Sequence, residues 1–481
     1  MKRISTLLRG VQVLARAGAE EAQIAALCYD SRSVEPGSCF FAVRGTATDG
    51  HRFIPMAVER GAVAVVCQTL PEELHPAVAY VVVEDSERTM AEMASAFYDH
   101  PSRELKLVGI TGTNGKTTTA TLLYELVRKL GYRAGLISTV VYKVDDREIP
   151  STHTTPDTIR LNRMLREMVE AGCDYCFMEC SSHAIVQKRT YGLHFAGGLF
   201  SNLTHDHLDY HKTFAEYLKA KKGFFDALPK GAFAVTNSDD RNGSVMVQNT
   251  RARIRSYSLR SVADYRAKIT EMHLEGMLLQ IDGQELWTTL TGRFNASNLL
   301  VVYATAVELG FERGEVLTAM SLLRPVSGRF ECLRSESGVI GVVDYAHTPD
   351  ALENVLQTIQ EIQSGSGALV VVCGCGGDRD REKRPEMARI AASYATTTIL
   401  TSDNPRNEDP EAILDEMERG MPGDARYLRI TDRAAAIRTA VMLSKRGDVV
   451  LVAGKGHENY QIIGGTKHPF DDREELRKAF Q

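Results

Sequence analysis

The stretch "LKLVGITGTNGKTTTATLLYELVRKLG", residues 105–131, decides the fold. An apolar run ends in a glycine-bearing loop. The loop then enters a segment with Leu122, Leu123, Leu126 and Val127 at helical spacing. Strand, loop and helix in this order make a phosphate-binding unit. Glycines let backbone N–H groups close around phosphate oxygens, and the helix presents its positive end to them. The loop reads Gly112-Thr113-Asn114-Gly115-Lys116-Thr117-Thr118. Lys116 can reach the outer phosphates of a nucleotide, and Thr117 or Thr118 can hold magnesium. The usual pattern has glycine five positions before Gly115, where this chain has Ile110. A plain glycine turn would need neither the lysine nor the three threonines after it.

Beyond this unit the chain divides into three blocks, as its 481 residues suggest. Residues 1–102 carry Val-rich runs, "GAVAVVC" and "AVAYVVVED", bounded by turn residues and expected as strands. Residues 103–328 hold the phosphate loop, a helix with Leu161, Met164, Leu165 and Met168 on one face, the strand-like "CDYCFMEC" and the helix opened by "GRFNASN". Residues 329–481 repeat strand, polar turn and helix in four units, from "GVIGVVDYAHTPDALENVLQTI" to "DVVLVAGKGHENYQII". Continuous apolar strands alternating with helices imply a parallel sheet covered on both faces. Ligands bind such sheets at the carboxyl ends of the strands. Those ends carry Asp344 and His347, Arg379, Asp403 to Arg406, and Gly454 to Glu458. The expected architecture is therefore α/β in three domains, with a binding rim on the third.

Composition sets limits. The chain is 43% hydrophobic and 25% charged with a net charge of -5, which leaves no basic footprint for nucleic acid. No apolar run reaches about 18 residues, so no membrane span is expected. Arg9 and Arg16 interrupt the apolar positions near the N-terminus, which argues against a signal peptide and for the cytoplasm. The nine cysteines are odd in number and lie mainly in apolar runs, as reduced thiols do. Cys173, Cys176 and Cys180 lack a second pair at zinc spacing and read as part of a buried strand.

Two further clusters bear on chemistry. "THDHLDYH" carries His205, Asp206, His207, Asp209 and His211, with Glu179 earlier at a strand end. Zinc is conceivable there, but the upstream phosphate loop favours magnesium, which takes oxygen ligands and keeps waters. Lys219, Lys221 and Lys222 would ordinarily form a solvated helix face. A lysine whose amine has taken up carbon dioxide would instead be an oxygen-bearing anion suited to a second metal.

Taken in order, "DSRSVEPGSCFFAVRG", "GTNGKTTT", "ECSSHAIVQKR", "NLTHDHLDYH", "GRFNASN", "SGRFE", "DYAHTPDALENVL", "CGGDRD", "DNPR" and "GKGHE" resemble the Mur ligase family across all three blocks. Within that family the pattern is most similar to the members that add meso-diaminopimelate to UDP-N-acetylmuramoyl-L-alanyl-D-glutamate. The resemblance implies an ATP- and magnesium-dependent amide ligase in peptidoglycan precursor synthesis, working through an acyl phosphate. It implies an N-terminal UDP-binding domain, a central ATP-binding domain and a C-terminal Rossmann-like domain for the incoming amino acid. A monomer acting on small molecules is expected, with no nucleic-acid or membrane partner.

Residue by residue, the resemblance implies that Glu179 and His207 associate with magnesium alongside Thr117, and that Lys221 is the carbamoylated lysine. Asn295 and Asn298 should lie near the adenine, with Arg329, Asp344 and His347 approaching the nucleotide. Ser31, Thr154, Thr155, Ser181, Gln187 and Arg189 match positions that hold the UDP-sugar peptide. His153 stands where the family carries asparagine. Arg379, Asp403, Asn404, Pro405, Arg406, Gly454 and Glu458 match the diaminopimelate site. Diaminopimelate has two amino-acid ends, so separated cationic and anionic partners suit it. An arginine grips a carboxylate bidentately and an acid holds an ammonium. Family members that use lysine lack the "DNPR" arginine. The rival readings are another amide ligase of the superfamily, such as a folylpolyglutamate synthase, a phosphotransferase, and a non-catalytic nucleotide-binding module.

Overall fold

The computed structural model describes residues 1–45, 48–204, 208–363 and 367–481. His205, Asp206 and His207 lie outside the described residues, as does the side chain of Asp209. Among the described residues no helix is long and apolar enough to cross a membrane.

Three sheets organise the chain. The central one has 11 strands. Its seven-strand parallel core runs, in spatial order, Ala134–Ile137, Tyr175–Glu179, Lys106–Thr111, Phe195–Phe200, Phe233–Asn237, Arg253–Ser258 and Tyr265–His273. Antiparallel hairpins extend both edges, so the sheet is mixed rather than wholly parallel. Lys106–Thr111 comes first in the chain yet sits mid-sheet, and successors leave it on both sides. Its carboxyl end is therefore a topological switch point, where ligands bind in doubly wound sheets. The helix Lys116–Lys129 starts there and buries Leu122, Leu123, Leu126 and Val127, as their spacing predicts. Tyr175–Glu179 is buried throughout, so "CDYCFMEC" is a core strand. All nine cysteines are free.

Before it, a five-stranded sheet contains Ala62–Cys67 and Ala79–Val83, the two Val-rich runs. After it, a six-stranded sheet places Ile340–Asp344, Val449–Ala453, Leu369–Cys373, Thr397–Leu400 and Tyr427–Arg429 side by side and parallel. Asp344 pairs with Ala453 and Cys373 with Leu400, so the four polar turns leave the sheet at one level. The fourth unit departs from expectation. After Val449–Ala453 the chain forms a hairpin, Tyr460–Ile463 against Thr466–Pro469, in place of a helix. The β-branched pair Ile462 and Ile463 suits a strand.

Side-chain contacts join the sheets. Arg166 Nε donates to the Tyr98 carbonyl at 3.0 Å, and Lys188 pairs with Asp85. Asn114 Nδ2 donates to Asp350 Oδ2 at 2.7 Å, and Arg329 Nη2 donates to Thr117 Oγ1 at 3.2 Å. The last two tie the phosphate loop itself to the third unit.

Candidate active site

The phosphate loop is built to admit an anion. Gly115 has φ +86°, and a Cβ there would stand 2.5 Å from Asn298 Oδ1. Only glycine keeps both the turn and the close approach of the helix Arg293–Glu308. Lys116 Nζ donates to the carbonyls of Gly112 (2.9 Å) and Thr113 (2.7 Å), folded over the cradle it would share with phosphate. The Asn114 N–H donates to Asn202 Oδ1 at 2.9 Å, which fixes the loop crest.

Two cavities open from this loop. The smaller, about 340 Å³, lies between the central and third units. Asn114, Gly115, Thr118, Asn298, Arg329, Asp344 and His347 line it, which unites most residues expected at the nucleotide. Asn295 is buried beneath them. Its Nδ2 donates to the Thr291 carbonyl and its Oδ1 accepts from Asn298, so it supports the wall from behind. Burial pushes the Asp344 carboxyl up to about 6, against the pull of Arg329. Asp344 Oδ2 also accepts from the Phe330 N–H at 2.7 Å.

The larger cavity, about 880 Å³, runs from the other side of the loop to the third sheet's rim. Thr113, Lys116, Thr117, Glu179 and Lys221 form its inner wall, Thr154, Thr155, Ser181 and Arg189 one flank, and Arg379, Asp403, Asn404, Arg406, Gly454 and Glu458 the far end. Glu179 is buried and accepts from the Thr139 N–H at 2.7 Å. Lys221 does not join a solvated face. It turns inward from the helix Phe214–Asp226, donating to the Gly112 carbonyl at 2.7 Å over the Tyr217 ring. On the flank, Thr155 Oγ1 donates to the Glu179 carbonyl, while Arg189 spans the Thr155 carbonyl and Gln187 Oε1. Ser181 caps the helix Ser182–Val186. Gln187 stands behind Arg189 and Ser31 is buried in the N-terminal unit, so neither of these two lines the cavity.

At the far end Arg406 has φ +53°, and its Nη1 donates to the Gly377 carbonyl at 2.7 Å. Pro405 belongs to the same turn, and its carbonyl accepts from the Glu408 N–H. Beneath the turn, Arg384 is wholly buried and holds Glu408, Glu416 and the Gly376 carbonyl, while Glu408 accepts from the Asp378 N–H. Hydrogen bonds from Arg384 pull the Glu408 carboxyl down to about 2. A depressed carboxylate contributes stability above its unfolded value, near 4.5, and loses it as pH falls toward 2. Glu408→Gln should therefore lower the melting temperature at pH 7 and flatten its dependence on pH between about 4.5 and 2. Thermal melts across that range check it, and an unchanged slope would count against the pedestal.

Sequence reasoning did not single out Lys455, Tyr345, His457 or Lys383. Tyr345, His457 and Lys383 line the larger cavity. Lys383 Nζ donates to the His347 carbonyl at 3.0 Å, and Arg329 stacks 4.4 Å from the Tyr345 ring centre. Burial, then Arg329, pushes His457 down to about 3. Tyr345, Lys455 and His457 stand inside motifs already read, "DYAHTPD" and "GKGHE", and only the folded chain turns them to the site.

Known proteins give independent bearings. Family models match in succession: "Mur ligase family, catalytic domain" at residues 23–98, "Mur ligase middle domain" at 110–306, and "Mur ligase, glutamate ligase domain" at 328–456. The chain is 54% identical over 480 residues to a protein of Phocaeicola vulgatus and 53% identical over 479 residues to one of Bacteroides thetaiotaomicron. Each alignment covers 99% of both chains, and both relatives are named UDP-N-acetylmuramoyl-L-alanyl-D-glutamate--2,6-diaminopimelate ligase. A solved structure of a ligase of the same name superposes with a TM-score of 0.68 at 34% identity, covering 95% of this chain and 94% of that one. With its phosphate loop at the switch point of one sheet and a charged rim on the next, the chain belongs to the Mur ligase family.

Proposed function

We propose that the chain is an ATP-dependent ligase that joins meso-2,6-diaminopimelate to the D-glutamyl side-chain carboxylate of UDP-N-acetylmuramoyl-L-alanyl-D-glutamate. One observation carries the reading: a single cavity has Lys116 and Glu179 at one end and Arg379, Asp403, Arg406 and Glu458 at the other. The names of relatives at 53–54% identity agree with it.

In this reading residues 1–102 hold the uridine end, 103–328 the ATP and 329–481 the incoming amino acid. The glutamyl carboxylate attacks the γ-phosphorus, the bond to the β-phosphate oxygen breaks, and ADP leaves an acyl phosphate. The free amine then attacks the acyl carbon, and the tetrahedral intermediate expels phosphate as the nitrogen loses its proton. Both partners of the first step are anions. The work of the chain is therefore to neutralise charge and to align groups. Lys116 leaves its loop carbonyls for the phosphates, and Arg329 approaches from the third unit. Thr154, Thr155, Ser181, Gln187, Arg189 and Ser31 hold the acceptor, and Asn295, Asn298, Asp344 and His347 enclose the nucleoside.

Thr117 and Glu179 supply hard oxygen donors on the Lys116 wall, which fits magnesium. His207 and carbamoylated Lys221 would complete the protein's share of that shell, and the ion would neutralise phosphate charge.

Release of ADP with the UDP-dipeptide acceptor tests the reading when each amino acid is supplied in turn. Diaminopimelate should exceed L-lysine in kcat/KM by roughly 10²–10⁴, the value of a charge left unpaired. Equal turnover would overturn the choice of amino acid, and a phosphorylated acceptor as sole product would favour a phosphotransferase.

A further inference from the structure

Behind the far wall of the larger cavity, Lys455 has no exposed surface. It lies between Gly454 (φ +119°) and Gly456 (φ +54°), whose left-handed backbones turn it beneath the rim. Its Nζ donates to Asn404 Oδ1 at 2.9 Å and stands 3.3 Å from Glu458 Oε2 and 3.6 Å from Asp403 Oδ1. Asn404 Nδ2 also donates to Glu458 Oε2, at 2.8 Å. A Cβ on Gly454 would stand 2.6 Å from Asp403 Oδ2, so the turn is closed tightly over this group. Asp403 and Glu458 line the cavity, whereas Lys455 lies behind them.

Two carboxylates facing one cavity cannot both stay ionised without a counter-charge. We propose that Lys455 is the positioning residue that holds Asp403 and Glu458 with their free edges aimed at the ammonium of the incoming amino acid. This rests on the rim being the amino-acid site. The lysine binds one oxygen of Glu458 and orients Asn404 against the same oxygen, leaving the outward edge of the pair to the ligand. Burial, then Asp403, raises the Glu458 carboxyl, and Lys455 opposes both. Tyr345, Tyr460, Arg433 and Cys375 stand within electrostatic reach of the pair, and Arg406 and His457 line the same cavity.

The test begins with the wild-type chain, diaminopimelate, ATP and the UDP-dipeptide. No ADP release there sinks the functional reading itself and is distinct from failure of this inference. Given activity, Lys455→Met should raise KM for diaminopimelate roughly 100-fold at pH 7, with KM for ATP and acceptor held within about two-fold. Without Lys455 the Glu458 carboxyl rises further, and its protonated form cannot take an ammonium. KM for diaminopimelate should then fall as pH rises, more steeply than in the wild type. Lys455→Arg keeps the charge and should restore most of the affinity. Adding Glu458→Gln to Lys455→Met removes the conflict and should abolish the extra pH dependence. An unchanged KM, or all three KM values rising together with no new pH dependence, overturns the proposal in favour of a structural role. If Lys455→Met does not fold, the double variant carries the test, and its failure to fold overturns the proposal as well.

Discussion

Replacing Lys116 with methionine is expected to lower kcat by roughly 10³ while leaving the melting temperature within a few degrees of wild type. Methionine keeps the length and apolar stem of the side chain and removes its charge. In the resting chain the substitution deletes the hydrogen bonds from Nζ to the Gly112 and Thr113 carbonyls. Both carbonyls sit at a loop crest that other bonds hold. Asn202 Oδ1 takes the Asn114 N–H, Ser201 Oγ donates to the Asn114 carbonyl, and Lys221 donates to the Gly112 carbonyl. The fold therefore has substitutes for Lys116, whereas the role proposed for it in the reaction has none. When a carboxylate approaches the γ-phosphate, repulsion between two anions must be offset at the reacting oxygens, and a buried point charge is most effective there. KM for ATP should rise less than kcat falls, because the loop N–H groups and the nucleoside cavity still hold the nucleotide. Steady-state ADP release and a thermal melt decide it. A kcat within ten-fold of wild type would remove Lys116 from the chemistry.

How much of this was legible depended on range. Residues 105–131 could be read because strand, loop and helix are contiguous, and each buried leucine follows from local periodicity. The rim could be read for a related reason. In a parallel sheet each strand delivers its turn to the same edge, so four separate motifs converge without any contact being known. Arg384, Arg433 and Lys455 were not legible as buried charges. The partners of the two arginines stand far along the chain: Glu408 for Arg384, and Asp472 for Arg433, which also ties the Ala453 carbonyl. Lys455 falls within the Gly454 to Glu458 turn expected at the rim, and only the left-handed backbone on either side drives it inward. Lys221 shows the same limit, since a run of lysines on a helix has no local mark of the one that faces the core. The hairpin after Gly454 breaks the strand, turn and helix pattern of the three units before it, so their repetition does not foretell it.

Arg406→Ala should raise KM for diaminopimelate by about two decades, leave KM for ATP unchanged and erase most of the preference over L-lysine. The turn that carries Arg406 is locked through its backbone. The Arg406 N–H donates to the Ile462 carbonyl at 3.0 Å, and its carbonyl accepts from Gly464 at 2.7 Å. Alanine in the left-handed region at φ +53° costs little against arginine, because both carry a Cβ. The substitution thus removes the guanidinium with the hairpin still in place. That guanidinium is anchored to the Gly377 carbonyl and lines the cavity, half-buried, beside Arg379. A buried charge that loses its partner costs roughly 3–5 kcal/mol, or two to four decades in affinity. Half-burial puts Arg406 at the lower end, since solvent screens part of the interaction. If Arg406 takes the distal carboxylate as proposed, L-lysine leaves it unmatched in the wild-type site, and the alanine variant removes that penalty. The two amino acids should therefore converge from both directions. Arg406→Lys separates charge from geometry: it keeps the positive charge but loses the planar fork, so it should recover only part of the selectivity. Paired ADP-release assays give the ratio directly. If that ratio survives in Arg406→Ala, the choice between the two amino acids lies with Arg379 and the acidic pair instead.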